Sequence, residues 1–71
     1  MKYYCFEIAT EGSYHLWVDA DEKKMNKELS RQLEELGDEV DTYAVGTCEA
    51  ASIEHAQDCI RSGNWEYCQK V

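Results

Sequence analysis

Hydrophobic and polar residues alternate from Tyr3 to Ala20 in a pattern that predicts an opening β-hairpin. Even positions carry Tyr4, Phe6 and Ile8, then Tyr14, Leu16 and Val18, while odd positions carry Tyr3, Cys5 and Glu7, then His15, Trp17 and Asp19. A strand sends successive side chains to opposite faces. The even set therefore reads as an apolar core face, and the odd set as an acidic and aromatic working face. Glu11-Gly12-Ser13 reads as the turn between strands at 2–10 and 13–19, with Gly12 supplying the positive backbone dihedral that tight hairpins favour.

The apolar period then changes. Met25, Leu29, Leu33 and Leu36 recur at intervals of four, four and three, one stripe of a helix over 22–36. Asp21 reads as its N-cap, with Ala20 or Asp19 as alternative starts, and Gly37 as its stop. A third strand is expected over about 40–48, carrying Val40, Tyr43, Val45 and Cys48. Thr42, Ala44 and Gly46 share the parity of Val40, so the pattern does not say which side of this strand is buried. Ser52 predicts the N-cap of a second helix, 53–62, with Ile53, Ala56, Cys59 and Ile60 on one side and Gly63 at its end. Trp65-Glu66-Tyr67-Cys68 adds a short final strand. The order β-β-α-β-α(-β) predicts an α+β fold, a two-layer sandwich of one mixed sheet with two helices on one face, built as a single domain over 1–71. The opposite sheet face would stay open, and the odd side of the hairpin would lie on it.

Size and charge narrow the function. A chain of 71 residues buries roughly 60% of its unfolded surface, so oligomerisation or added staples are natural supports. Fifteen acids against seven bases leave a net charge of −8. A nucleic-acid binder displays a basic stripe, and this chain has none, which argues against direct contact with nucleic acid or an anionic membrane. The complementary partner is a basic protein surface, such as one that itself binds nucleic acid. The opening Met-Lys-Tyr-Tyr-Cys-Phe-Glu lacks the apolar run of a signal peptide, and no stretch reaches the length of a membrane span. A cytoplasmic protein with reduced cysteines is therefore expected.

The acids are unevenly placed. Residues 21–36 hold five acids and four bases, whereas the remainder holds ten acids and three bases. Densest is Glu34-Glu35-Leu36-Gly37-Asp38-Glu39-Val40-Asp41, with five acids in eight residues at the end of the first helix. Carboxylates there oppose the helix macrodipole, each at a cost of about 0.3–1 kcal/mol when exposed. A chain selected for stability alone would place Lys or Arg at such a site. Acids two apart along a strand lie about 7 Å apart, comparable with the phosphate spacing of a nucleic-acid strand. Glu7, Asp19, Asp41 and Glu49 form such a display, interleaved with Tyr3, Trp17 and Tyr43. Aromatics of this kind anchor protein interfaces. A solvent-facing Trp17 calls for a cover, which a basic partner, a second copy of the chain or the C-terminal Trp65–Tyr67 segment would supply. The expected partner-binding residues are Tyr3, Glu7, Trp17, Asp19, Glu34, Glu35, Asp38, Glu39, Asp41 and Tyr43.

Other chemistry finds little support. The cysteines at 5, 48, 59 and 68 and the histidines at 15 and 55 include no C-x-x-C or H-x-x-x-H pair, the usual nucleus of a structural zinc site. Cys5, Cys48 and Cys59 read as small buried hydrophobes, and no metal or cofactor is expected. Phosphate-loop, G-x-S-x-G and H-E-x-x-H phrases are absent from the sequence. A meeting of Cys5 and His15 across the hairpin would imitate a nucleophile and base, but ordinary strand pairing accounts for it, and a non-catalytic protein is expected.

In its length, its net charge of −8 and acid runs such as Glu34–Asp41, the chain resembles the phage-encoded inhibitors of bacterial defence, of which the anti-CRISPR proteins are the largest group. The resemblance implies a stoichiometric inhibitor acting in the host cytoplasm. It would dock on a Lys/Arg-lined nucleic-acid site of a CRISPR effector or restriction enzyme and act as a nucleic-acid mimic. The competing expectation is a homodimeric accessory protein whose open sheet face is the subunit interface.

Overall fold

A computed structural model describes residues 1–70, with side chains as far as Glu66. The elements are β1 (Lys2–Thr10), β2 (Tyr14–Asp19), α1 (Glu22–Leu36), a single 3-10 turn (Gly37–Glu39), β3 (Val40–Glu49), α2 (Ile53–Arg61) and β4 (Glu66–Lys70). The fold is α+β, and both helices form where their signals place them. Asp21 accepts hydrogen bonds from the amides of Lys23 and Lys24 to start α1. Gly37, at φ 54°, returns its amide to the Leu33 carbonyl to end it. Ser52 Oγ accepts from the His55 amide at the start of α2, and Gly63 takes φ 78° just beyond its end.

The four strands lie in the order β2-β1-β3-β4. The expectation of a mixed sheet is corrected: every neighbouring pair is antiparallel. Strands β2 and β3 do run parallel, as a strand–helix–strand passage requires, but β1 lies between them, so no parallel pair of strands is hydrogen-bonded.

A second correction concerns the hairpin. Ala9 pairs with Tyr14, with four residues between them, so each even residue of β1 faces an odd residue of β2. Phe6 stands beside Trp17 and Ile8 beside His15, while Cys5 stands beside Val18 and Glu7 beside Leu16. Residues opposite one another in a ladder share a face. A shift of one residue exchanges the faces of a whole strand, and it divides the apolar side chains of the hairpin between the two sides of the sheet. The turn also differs from expectation. Gly12 is not among the positive-φ glycines. Instead the Thr10 amide donates to the Ser13 carbonyl at 2.9 Å, and the Ser13 amide donates to Thr10 Oγ1 at 3.0 Å.

Both faces therefore need cover, and each receives a helix. Met25, Leu29, Leu33 and Leu36 of α1 pack with Tyr4, Phe6, Ile8, Tyr43 and Val45. Ala56, Cys59 and Ile60 of α2 pack with Tyr3, Cys5, Leu16, Val18 and Cys48. The result is a helix–sheet–helix arrangement of three layers, not a two-layer sandwich with both helices on one face. Cys5 and Phe6, adjacent in sequence and on opposite faces of β1, are both at 0% exposure. That is the signature of a central strand buried on each side. Phe6 alone is worth about 1.5–3 kcal/mol of burial.

The undecided parity of β3 is resolved by a β-bulge. Ala9 pairs with Thr42 and Thr10 with Val40, so Asp41 has no partner on β1. One extra residue returns the next side chain to the other face, and Val40 joins Tyr43 and Val45 on the α1 side.

Candidate functional site

The hairpin turn, the C-terminus of α1, the 3-10 turn and the start of β3 meet at one end of the sheet. There Thr10, Glu11, Gly12, Ser13, Asp38, Glu39 and Asp41 line an open cleft of about 490 Å³. Local sequence explains the geometry. Gly37 halts α1 in a conformation that L-residues resist, the 3-10 turn exposes Asp38 and Glu39 in sequence, and the bulge leaves Asp41 outside the ladder. The Thr10–Val40 pairing brings the Glu11 turn alongside.

This cleft holds four exposed carboxylates, of Glu11, Asp38, Glu39 and Asp41. Glu34 and Glu35 are also exposed, on the last turn of α1, which has no basic residue. Glu35 accepts from Arg31 Nη1 at 2.7 Å. Among the described residues, the side chains of Glu11, Glu34, Asp38, Glu39 and Asp41 form no ion pair. The acids of this rim thus make no local ion pair among the described residues.

The remaining candidates are not gathered here, and the structure gives each a local surrounding. Tyr3, expected on a working face, is buried under α2 at 6% exposure. Tyr43 is half-buried in the α1-side core. Glu7 is half-buried and accepts a hydrogen bond from the Tyr14 hydroxyl. Asp19 accepts from the Asp21 amide at 2.9 Å, shaping the approach to α1. Glu49 lies 3.3 Å from the N-terminal ammonium at the opposite end of the sheet. Trp17 shares its face with Phe6 and remains 37% exposed. The display of Tyr3, Glu7, Trp17 and Asp19 on one open face is therefore corrected. Tyr3 and Glu7 point to the α2 side, Trp17 and Asp19 to the α1 side. Trp65 packs with the Tyr3 and Cys5 cluster rather than over Trp17, and the side chain of Tyr67 lies outside the described residues.

The sequence reading missed Glu11 as a member of the rim. The pairing of β1 with β3 is what brings the hairpin turn beside the acidic run, and no local pattern announces a pairing 30 residues away. Cys5 and His15 lie on opposite faces, because Cys5 pairs with Val18 and Ile8 with His15. No group of three potential metal ligands is found among the described residues; the side chain of Cys68 lies outside them. No described helix is long and apolar enough to cross a membrane.

One further concavity, of about 650 Å³, lies at the other end of the molecule between β3, α2 and β4, and Cys48, His55, Cys59 and Trp65 are among its lining residues. His55 Nδ1 accepts from the Ala51 amide at 3.2 Å, which orients the ring.

Comparison with protein-family models, with characterised proteins and with solved structures gave no match.

Proposed function

We propose that this chain is a small, acidic, non-catalytic binding protein that inhibits a basic, nucleic-acid-binding partner, of the anti-CRISPR or antirestriction kind, by occupying its nucleic-acid site. The observation that carries the proposal is the rim of Glu11, Glu34, Asp38, Glu39 and Asp41. These exposed acids are drawn from the hairpin turn, α1, the 3-10 turn and β3 and make no ion pair among the described residues, and Glu34 and Asp38 sit where a helix C-terminus disfavours them. Lys and Arg side chains that normally hold phosphates would meet carboxylates at comparable density. Complementary charge accelerates association and selects the partner, and Trp17 on the β2 edge is an aromatic anchor of the kind that slows release.

The test is competition. A purified CRISPR effector or restriction enzyme is bound to labelled DNA, and the chain is titrated in at rising salt. The expected result is stoichiometric displacement that weakens steeply with salt and is lost in the Asp38→Lys/Glu39→Lys/Asp41→Lys variant. Displacement that ignores both salt and charge reversal refutes the electrostatic mechanism. No displacement across a panel of such enzymes refutes the proposal.

A further inference from the structure

We propose that Cys48 and Cys59 form a reversible oxidation site, in which Cys59 takes the oxidant and Cys48 resolves it as an intramolecular disulfide. Cys48 lies near the end of β3 and Cys59 in the last turns of α2. The two thiols belong to one packed cluster and line the same cavity of about 650 Å³, and Cys48 Sγ donates to the Glu49 carbonyl at 3.7 Å. Their exposures differ in a useful way. Cys59 is half-buried, whereas Cys48, on the same cavity, is buried at 5% exposure. A solvent-borne disulfide reaches the first more readily than the second.

A third thiol, Cys5, belongs to the same cluster but is fully buried. Burial, and then the neighbouring Cys48 and Cys59, push its pKa up to about 12. Cys5 does not line the cavity and is a spectator, whereas Cys48, whose thiol burial also pushes up, lines it with Cys59. Two sulfurs of unequal access in one cluster and on one cavity are the arrangement in which a solvent-facing thiol sits next to its resolving partner.

The chemistry balances with glutathione disulfide as oxidant. The Cys59 thiolate attacks one sulfur of that disulfide, forms a mixed disulfide and releases one glutathione thiolate. The Cys48 thiolate then attacks Cys59 Sγ, forms the Cys48–Cys59 bond and expels the second glutathione. Two electrons pass from the protein thiols to the oxidant, and their two protons go to solvent or to the released glutathione. A bond between these positions fastens the C-terminal half of α2 to β3. The nine-residue α2 is too short to persist without docking, so the bond acts on an element held by packing alone. In a reducing compartment such bonds are transient and regulatory rather than structural.

The folded chain is incubated with glutathione disulfide, quenched in acid, alkylated and mapped by mass spectrometry. The expected product has lost two hydrogens, with Cys48 and Cys59 both protected from alkylation, and excess reduced glutathione restores both thiols. Cys48→Ala, a small apolar replacement at a buried site, should trap one glutathionyl group on Cys59. Cys59→Ser should leave Cys48 unmodified, and this arm decides the matter if Cys48→Ala does not fold. A bond from Cys59 to Cys5 or Cys68, a lasting glutathionyl adduct on the unaltered chain, or modification of Cys48 in the absence of Cys59 would each overturn the inference. So would no reaction at Cys59.

Discussion

The acidic rim should cost the fold stability that charge reversal restores. Glu34 lies in the last turn of α1 and Asp38 just past it, both exposed, and the last turn holds no base to answer them. An exposed acid at a helix C-terminus is unfavourable by about 0.3–1 kcal/mol at low salt, and a base in its place is favourable by a similar amount. Reversing both residues to Lys therefore gains roughly 1–4 kcal/mol before screening. For a domain of 60–100 residues, 1 kcal/mol moves the melting temperature by about 4–8 °C. The Glu34→Lys/Asp38→Lys variant should therefore melt on the order of 5–30 °C above the parent in low salt. The advantage should shrink toward about 1 M salt, where the Debye length is near 3 Å. The control is Glu22→Lys, in the first turn of α1. Per substitution it changes the net charge equally, but it removes an acid from the helix end that favours one, and it should melt lower. Far-UV circular dichroism at the two salt concentrations measures all three. If Glu22→Lys gains as much per substitution as the double reversal, the effect belongs to net charge alone. If the double reversal gains nothing, the corner is not electrostatically frustrated, and the argument from its placement to a binding role loses its footing.

Three further outcomes follow from the packing and the charges. Ile60, at 2% exposure in α2, should cost about 2–5 kcal/mol when cut to Ala. That is the cost of a core position, and a urea midpoint close to the parent's would mean that α2 does not seal the second face. Asp21→Ala removes the cap of α1 and should cost about 0.5–2 kcal/mol, read in the same titration, with Asp21→Asn retaining most of the stability. Hydrogen bonds from Arg31 and then Gln32 hold the Glu28 carboxyl down at about 2, below its ordinary 4.5. A depressed folded-state pKa contributes stability above the unfolded value and loses it as pH falls through the folded one. Stability should therefore decline from about pH 5 toward pH 2. Glu28→Gln should flatten that limb, and a carboxyl titrating near 4.5 by NMR contradicts the assignment.

Local elements were legible in the sequence because their signals are local. Asp21, the Met25–Leu36 stripe and Gly37 delimit α1, and Ser52 and Gly63 delimit α2. The layering was not legible, because it depends on a register. Four residues between Ala9 and Tyr14 set odd against even across the hairpin, and that one step exchanges the face of every side chain in β2. One clue was present in β1. Tyr3-Tyr4-Cys5-Phe6 is an unbroken apolar run, and strands buried on both faces read in that way. The bulge at Asp41 was hidden for the same reason, as it shows only as a broken parity in β3 until β1 is placed beside it. Of the candidate site, the acidic run was visible as composition. The hairpin acid that completes it, and the separation of Tyr3 from Trp17, were settled by long-range pairing.

Cover on both faces changes where a partner can act. A sheet with one open face invites a broad, flat interface, the premise of both the face-docking inhibitor and the face-paired homodimer. Here α1 takes one side and α2 the other, so neither face of the sheet is left open for docking. The rim of Glu11, Asp38, Glu39 and Asp41 occupies one end. Trp17 and Tyr14, at 37% and 48% exposure, lie along the adjoining edge strand β2. An acidic end flanked by an aromatic edge suits a narrow, basic groove better than a flat surface. On the proposed function, a nucleic-acid channel lined by Lys and Arg would be such a groove. On this geometry the reversal of rim acids should slow association, while Trp17→Ala should leave association nearly unchanged and speed dissociation. Rates measured by surface plasmon resonance against a displaced effector separate the two. A Trp17→Ala variant that dissociates no faster than the parent would remove the edge from the interface and leave the acidic end to act alone.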